Sequence, residues 1–280
     1  MKSYGRLLAG IVCGLMIVAA GGALAAAPEP WQFGMQAPAT PVKEAVESLH
    51  NMILVIITAI TLFVLVLLVV VVLRFNAKRN PNPSTTSHHT LLEVAWTVVP
   101  VLILVAIAIP SFRLLYFQDR ARDPDLTLHV TAFQWAWEYA YPDNGDFRFE
   151  SRMIADADIK PGQIRNLSVD EEIVVPAGKN VRVLTTSRDV IHSFFMPAFG
   201  IQKYAIPGRT LETWFRVDKP GVYYGQCNQI CGTNHAYMPI AVRVVPEAEF
   251  NAWAEQAKSR YAQGLPPAPV GSVALARAAR

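Results

Sequence analysis

Cys227-Asn228-Gln229-Ile230-Cys231-Gly232-Thr233-Asn234-His235-Ala236-Tyr237-Met238 gathers two thiols, an imidazole and a thioether in one short run. How it is read decides what kind of domain surrounds it. Two cysteines four apart outside the cytoplasm can close a small disulfide loop. Two thiolates with two imidazoles can make a tetrahedral zinc site. Cys231, His235 and Met238, joined by one histidine from a neighbouring strand, would make a trigonal copper site with a weak axial methionine.

His192 is the candidate for that histidine. It follows Val190-Ile191 and precedes Ser193-Phe194-Phe195-Met196-Pro197, which places it at a strand end. A lone histidine there would usually be structural; the downstream cluster makes it a ligand. Zinc gains nothing from Met238, whereas a thioether favours copper. Cys227 is one thiolate more than a mononuclear copper site needs. Two thiolates can bridge two copper ions and leave one imidazole for each, with Met238 and a backbone carbonyl between the cysteines as axial donors.

The sequence around the run has the punctuation of an all-β domain. Leu126-Thr127-Leu128-His129-Val130 and Val181-Arg182-Val183-Leu184-Thr185 alternate or are β-branched, and Pro142, Pro161-Gly162, Pro176, Gly178, Pro207-Gly208 and Pro220-Gly221 mark turns between short strands. That pattern predicts a sandwich or barrel. Pro246 to about Tyr261 suits a closing helix, and the proline-containing tail after it suits disorder.

Upstream, the chain turns apolar. Of its 280 residues 52% are hydrophobic, and the excess sits before residue 116. Met52 to Leu73 carries no charge, long enough to cross a hydrocarbon layer of about 30 Å. Val94 to Phe112 is a second such run, with Pro100 and Pro110 inside it. A bilayer tolerates these prolines where neighbouring helices absorb the lost hydrogen bonds. Arg74, Lys78 and Arg79 follow the first span, so the loop between the spans is cytoplasmic and both ends of the hairpin face out. Residues 1–27 read as a secretory signal: basic Lys2 and Arg6, an apolar core, and the small-residue stretch Ala23-Leu24-Ala25. The topology is the same from either signal. Cys13 lies inside that segment, so its removal leaves Cys227 and Cys231 as the remaining thiols. A net charge of +3 is too small to argue for nucleic acid, and no basic run supports such a surface.

The chain resembles subunit II of haem-copper cytochrome c oxidases from the first span to about Trp253. The family's copper motif, Cys-x-Glu-x-Cys-Gly-x-x-His-x-x-Met-Pro, reads here as Cys227 to Pro239 with one change. Around it stand Gly221-Val222-Tyr223-Tyr224-Gly225-Gln226, Ala205-Ile206-Pro207-Gly208-Arg209 and Gln134-Trp135-Ala136-Trp137. The resemblance implies a membrane-anchored all-β fold: a two-helix transmembrane hairpin carrying a cupredoxin-like Greek-key β-barrel on the outer face of a bacterial inner membrane. The expected segments are a signal over 1–27, an extracytoplasmic segment over 28–50, spans over 51–73 and 94–115, and a cytoplasmic loop over 74–93. A periplasmic domain follows over 116–262, then a tail over 263–280.

By the same resemblance Cys227 and Cys231 bridge two coppers, His192 and His235 bind one each, and Met238 and the Gln229 carbonyl complete the spheres. Trp135 matches the tryptophan where cytochrome c delivers its electron, on the way to haem in subunit I. Glu93 matches the glutamate at the entrance of a proton pathway. Without the family match, Trp135 would be a packed sheet aromatic and Glu93 a solvated helix-end acid. Acidic residues outnumber basic ones between Glu138 and Glu172, and Asp143, Asp146 and Asp189 are the expected docking acids for a basic cytochrome.

Three positions depart from the family. Gln229 replaces a glutamate whose carboxylate binds magnesium at the subunit I boundary, so that ion should be held more weakly here. Ala136 replaces an aromatic between the two tryptophans, and Arg188 stands where an acid often helps docking. Two rival functions within reach of the same motifs are a copper-free quinol oxidase subunit, which the complete ligand set opposes, and a membrane-tethered copper carrier or nitrous-oxide-reductase-like donor outside an oxidase.

Overall fold

The computed structural model describes residues 24–121 and 123–261. The tail over 263–280 and all but the end of the signal segment lie outside the described residues. Thr40, in extended conformation, starts the first helix by accepting from the Lys43 N–H at 3.0 Å. Pro41 follows at the first helical position, where its missing N–H would have had no intrahelical partner. Helix α1 then runs Pro41–Arg74 and helix α2 runs Thr90–Asp119. The start of α2 is capped reciprocally: the His89 imidazole accepts from Leu92 N–H at 3.3 Å, and the Glu93 carboxylate accepts from His89 N–H at 3.1 Å.

Both helices are apolar on every side and uncovered by protein along their most hydropathic stretch. Such helices are stable only in a bilayer. The 34 residues of α1 rise about 51 Å, well beyond the hydrocarbon thickness, so its charged first turns (Lys43, Glu44, Glu47) stand outside. These protruding ends grip the β-domain. Val42 is fully buried, and Thr40 Oγ donates to the Phe199 carbonyl at 2.7 Å. Phe117 of α2 meets Trp214 edge-on at 5.3 Å, and the indole N–H donates to the Phe117 carbonyl at 2.8 Å. The hairpin is therefore the mount that sets the height and tilt of the outer domain.

The described strands are β1 (Leu24–Ala26), β2 (Leu126–Phe133), β3 (Ala136–Tyr141), β4 (Phe147–Ser151), β5 (Ile173–Pro176), β6 (Val181–Ser187), β7 (His192–Met196), β8 (Ile201–Ala205), β9 (Leu211–Phe215), β10 (Gly221–Cys227) and β11 (Pro239–Val245). They form two sheets, one ordered β4-β3-β2-β6-β9 and the other β5-β11-β10-β7-β8 with β1 against β10. The pairs β2–β6 and β5–β11 run parallel within mainly antiparallel sheets. Parallel neighbours need long crossovers, which is how the chain passes from sheet to sheet in Greek-key fashion. The two-residue period of β3 points Trp137, Tyr139 and Tyr141 into the core, each fully buried. Helix α3 (Glu247–Tyr261) closes the barrel end opposite the β2–β3 turn, with Trp253 against Tyr141 at 5.3 Å and Tyr261 stacked on Phe149 at 4.9 Å.

Candidate metal centre

Strand β7 pairs with the last residues of β10, Cys227 with Phe194 and Gln226 with Phe195. That crossing sets the last residue of β10 beside the first residue of β7, which is His192. The loop after Cys227 folds back until the Met238 carbonyl accepts from Cys227 N–H at 3.2 Å. The thiols of Cys227 and Cys231 are free and 3.9 Å apart. Cys231 Sγ lies 3.6 Å from both His235 Nδ1 and Met238 Sδ, and the Gln229 carbonyl is 3.4 Å from Cys227 Sγ. Donor atoms of His192, Cys227 and Cys231 all fall within 4.8 Å of one another.

Two observations show that these residues fit a soft metal. The first is His192, which is wholly buried, with Nδ1 lacking any hydrogen-bond partner. A buried unpaired nitrogen costs about 1–3 kcal/mol unless something binds it. Its other nitrogen, Nε2, is 2.9 Å from Asp189 Oδ1. Because a carboxylate only accepts, Nε2 carries the proton and Nδ1 offers its lone pair on the thiol side.

The second observation is the unequal thiol pair. Burial pushes the Cys227 thiol up, but the neighbouring His192 and His235 rings and the Ser193 and Gln229 backbone outweigh it and hold it below the usual thiol range. Burial and then the negative charge of Cys227 push Cys231 the other way. One thiolate forms readily and the second resists. A bound cation removes that conflict, and both thiolates then become ligands.

Asp189 shows the same competition among causes. Burial raises its carboxyl, yet hydrogen bonds from His192 and from the Gln134 and Val190 N–H groups prevail and keep it below the ordinary aspartate value.

The β2–β3 turn closes over this loop. Gln134 Nε2 donates to the Cys231 carbonyl at 2.8 Å, and the Trp135 indole N–H donates to the same oxygen at 3.3 Å. The peptide bond between Gln134 and Trp135 is cis. From the core side, the Trp137 indole N–H donates to the Met238 carbonyl at 3.2 Å. Gly232 makes the Trp135 contact possible: its φ is +128°, and a Cβ there would stand 2.8 Å from Trp135 Cζ2 and 3.0 Å from Gln134 Nε2. Gly232→Ala should therefore push the indole off the loop and also strain the backbone beside Cys231, because an L side chain rarely adopts that φ. We expect a weakened Trp135 contact together with lower metal content, checked by tryptophan fluorescence and metal analysis of the purified protein.

The other residues singled out in the sequence lie elsewhere. Glu93 caps α2 at the far membrane face, roughly 40 Å along the helix from Asp119. Asp143 and Asp146 follow β3 at the end away from Trp135, about 20 Å down the strand. Asp143 accepts there from Thr127 N–H at 2.7 Å. Asp189 alone of the three docking candidates is at the site. Arg188 pairs with buried Glu138 and lies over the Phe133 ring at 4.9 Å, and Arg152, which bridges Glu150 at 2.6 Å, covers that ring at 5.4 Å. Sequence reading missed the roles of Gln134, Gly232 and Trp137, and the bond from Asp189 to His192. The one available signal was an acid three residues before a ligand histidine.

Comparison with known proteins finds one family along most of the chain. The family models for the transmembrane domain and the periplasmic domain of cytochrome c oxidase subunit II match residues 28–114 and 126–245. A probable cytochrome c oxidase subunit 2 of Rickettsia bellii is 47% identical over 86% of this chain and 89% of its own length. Its counterpart in Rickettsia prowazekii is 48% identical over 82% and 73%. Among solved structures, the periplasmic domain of subunit II of the Bradyrhizobium japonicum cytochrome oxidase is 52% identical, covering 50% of this chain and 98% of that one, with a TM-score of 0.47.

Proposed function

We propose, from the premise that this chain belongs to the cytochrome c oxidase subunit II family, that its outer domain is the electron inlet of the enzyme and holds a pair of copper ions. The chain is a membrane-anchored subunit of a haem-copper oxidase, and its His/Cys group is a copper site. The finer reading sets the domain in the periplasm above a bacterial inner membrane, with cytochrome c as donor and haem in subunit I as acceptor. Cys227 and Cys231 would bridge the metals, His192 and His235 would bind one each, and Met238 and the Gln229 carbonyl would complete the set. Bound copper supplies a one-electron relay whose charge change is spread over shared ligands.

The protein's own part is placement. Trp135 covers the loop and joins it by a hydrogen bond to the Cys231 carbonyl, which makes its half-buried indole the outer end of a short bonded route. Trp137 and Asp189 hold the loop and His192 from the core side and the flank. Glu93 would stand at the mouth of a proton pathway in subunit I, and as cap of α2 its carboxylate is fixed in direction.

The observation that carries the copper reading is the buried, unpartnered His192 Nδ1 beside two thiols. Metal analysis and EPR of the purified oxidase test it. Two coppers in this subunit with a many-line mixed-valence signal are expected; one zinc, or no metal, would overturn it. For magnesium, Gln229→Glu should tighten binding about tenfold or more by restoring a full negative charge. Magnesium content after mild chelation reads this, and equal retention in both proteins would count against it.

A further inference from the structure

We propose that Arg152 is a specificity residue for the electron donor, taking a carboxylate that the donor carries beside its exposed redox edge. The inference rests on the reading of Trp135 as the entry point. A groove of about 530 Å3 opens beside the indole, lined by Gln134, Trp135, Arg152, Met153, Asn234 and Tyr237. Arg152 is the charged member of that lining, and it is exposed.

The sign of this surface follows from how its ion pairs are layered. Strand register sets Glu138 directly opposite Glu150, and like charges in that position repel. Arg188 answers both, bonded to Glu138 and 3.9 Å from Glu150, while Arg152 holds Glu150 at 2.6 Å. In each pair the acid is the inner member. The side chains of Glu138 and Glu150 are 6% and 29% exposed, against 36% and 52% for Arg188 and Arg152. Both guanidiniums lie over the ring of Phe133, two residues before Trp135, which fixes them in place. The four charges cancel in number, but an incoming protein meets the cations first. Glu150 accepts from one terminal nitrogen of Arg152, and a guanidinium has five N–H donors, so its outer edge is available to a partner.

Asp189, also exposed, accepts from the Gln134 N–H at 2.7 Å and so stands at the same turn. The entry surface therefore carries both signs, negative at Asp189 and positive at Arg152. A donor ringed wholly by lysines is attracted by the first and repelled by the second. A donor with a lysine for Asp189 and a carboxylate for Arg152 satisfies both, and does so in one orientation.

The test is electron entry into the intact oxidase from two soluble c-type cytochromes, one with lysines all around its haem edge and one with a carboxylate there, at several salt concentrations. Arg152→Glu should shift the ratio of the two second-order rates toward the lysine-ringed donor on the order of 10-fold at low salt, and less as salt screens the charge. Copper EPR should stay as in the unsubstituted enzyme. Arg152→Gln should move the ratio the same way by a smaller factor. It adds no acid beside Glu150, so it decides the matter if the glutamate variant does not assemble. A ratio unmoved by either substitution, with only the melting temperature lowered, would make Arg152 a structural partner of Glu150 and overturn the proposal. Trp135→Leu checks the entry reading separately: slower entry from both donors at saturation supports it, and an unchanged saturating rate would sink that reading whatever the ratio in the Arg152 variants.

Discussion

Cys227→Ser is expected to abolish the many-line mixed-valence signal and to lower turnover of the oxidase by more than about 100-fold. Even residues that merely support a ligand are worth roughly 10–100-fold, and Cys227 is a ligand in the reading given above. Its sulfur lies 3.9 Å from Cys231 Sγ and shares the cluster with His192, so it is the atom on which a two-metal arrangement depends. A serine hydroxyl is a hard, protonated donor that copper does not favour. The substitution also removes the negative charge that pushes Cys231 up, so Cys231 ionises more easily and keeps one thiolate. That thiolate still has His235 and Met238 at 3.6 Å. The expected remnant is therefore one copper per subunit with a simple mononuclear spectrum. Copper-to-haem ratio and EPR check this together, and a surviving mixed-valence signal would refute the bridging role.

The donor residues of the site were legible because soft ligands at short loop spacing are rare, and because His192 announces itself at a strand end. The membrane hairpin was legible for a different reason: absence of charge is a local property. Helix length was not, since Lys43, Glu44 and Glu47 end the apolar run without ending the helix. The docking acids show where linear reading fails. Asp143 and Asp146 are close to Trp135 in sequence, yet β3 runs straight away from the turn and carries them to the other end of the sheet. Asp189 is distant from Trp135 in sequence and next to it in space, because parallel pairing of β2 with β6 brings the ends of both strands together. Arg188 reads as a lost docking acid; in the fold it is the partner that makes burial of Glu138 tolerable. Pairing between strands distant in sequence decides each of these, and no local pattern encodes it.

Gly225→Ala, a change of one methyl group on a residue that binds nothing, should cost the domain about 3 kcal/mol or more and empty the metal centre. A Cβ on Gly225 would stand 2.2 Å from the Phe195 carbonyl oxygen and 2.4 Å from Met196 Sδ. Overpacking typically costs about 1–3 kcal/mol where side chains can yield. Here the nearest atom is backbone, and Met196 is fully buried. The strain must be relieved by moving β10 away from β7. The ladder pairs of those strands are Gln226–Phe195 and Cys227–Phe194, next to Gly225, so the movement opens the junction that sets Cys227 beside His192. Gly225 is thus the reason the strands can cross closely enough to make a metal site from residues on both. Thermal unfolding and copper content should fall together in this variant, whereas Cys227→Ser should lose metal with a smaller loss of stability. A Gly225→Ala protein with full copper and an unshifted melting temperature would show that the close crossing is not what holds the site together.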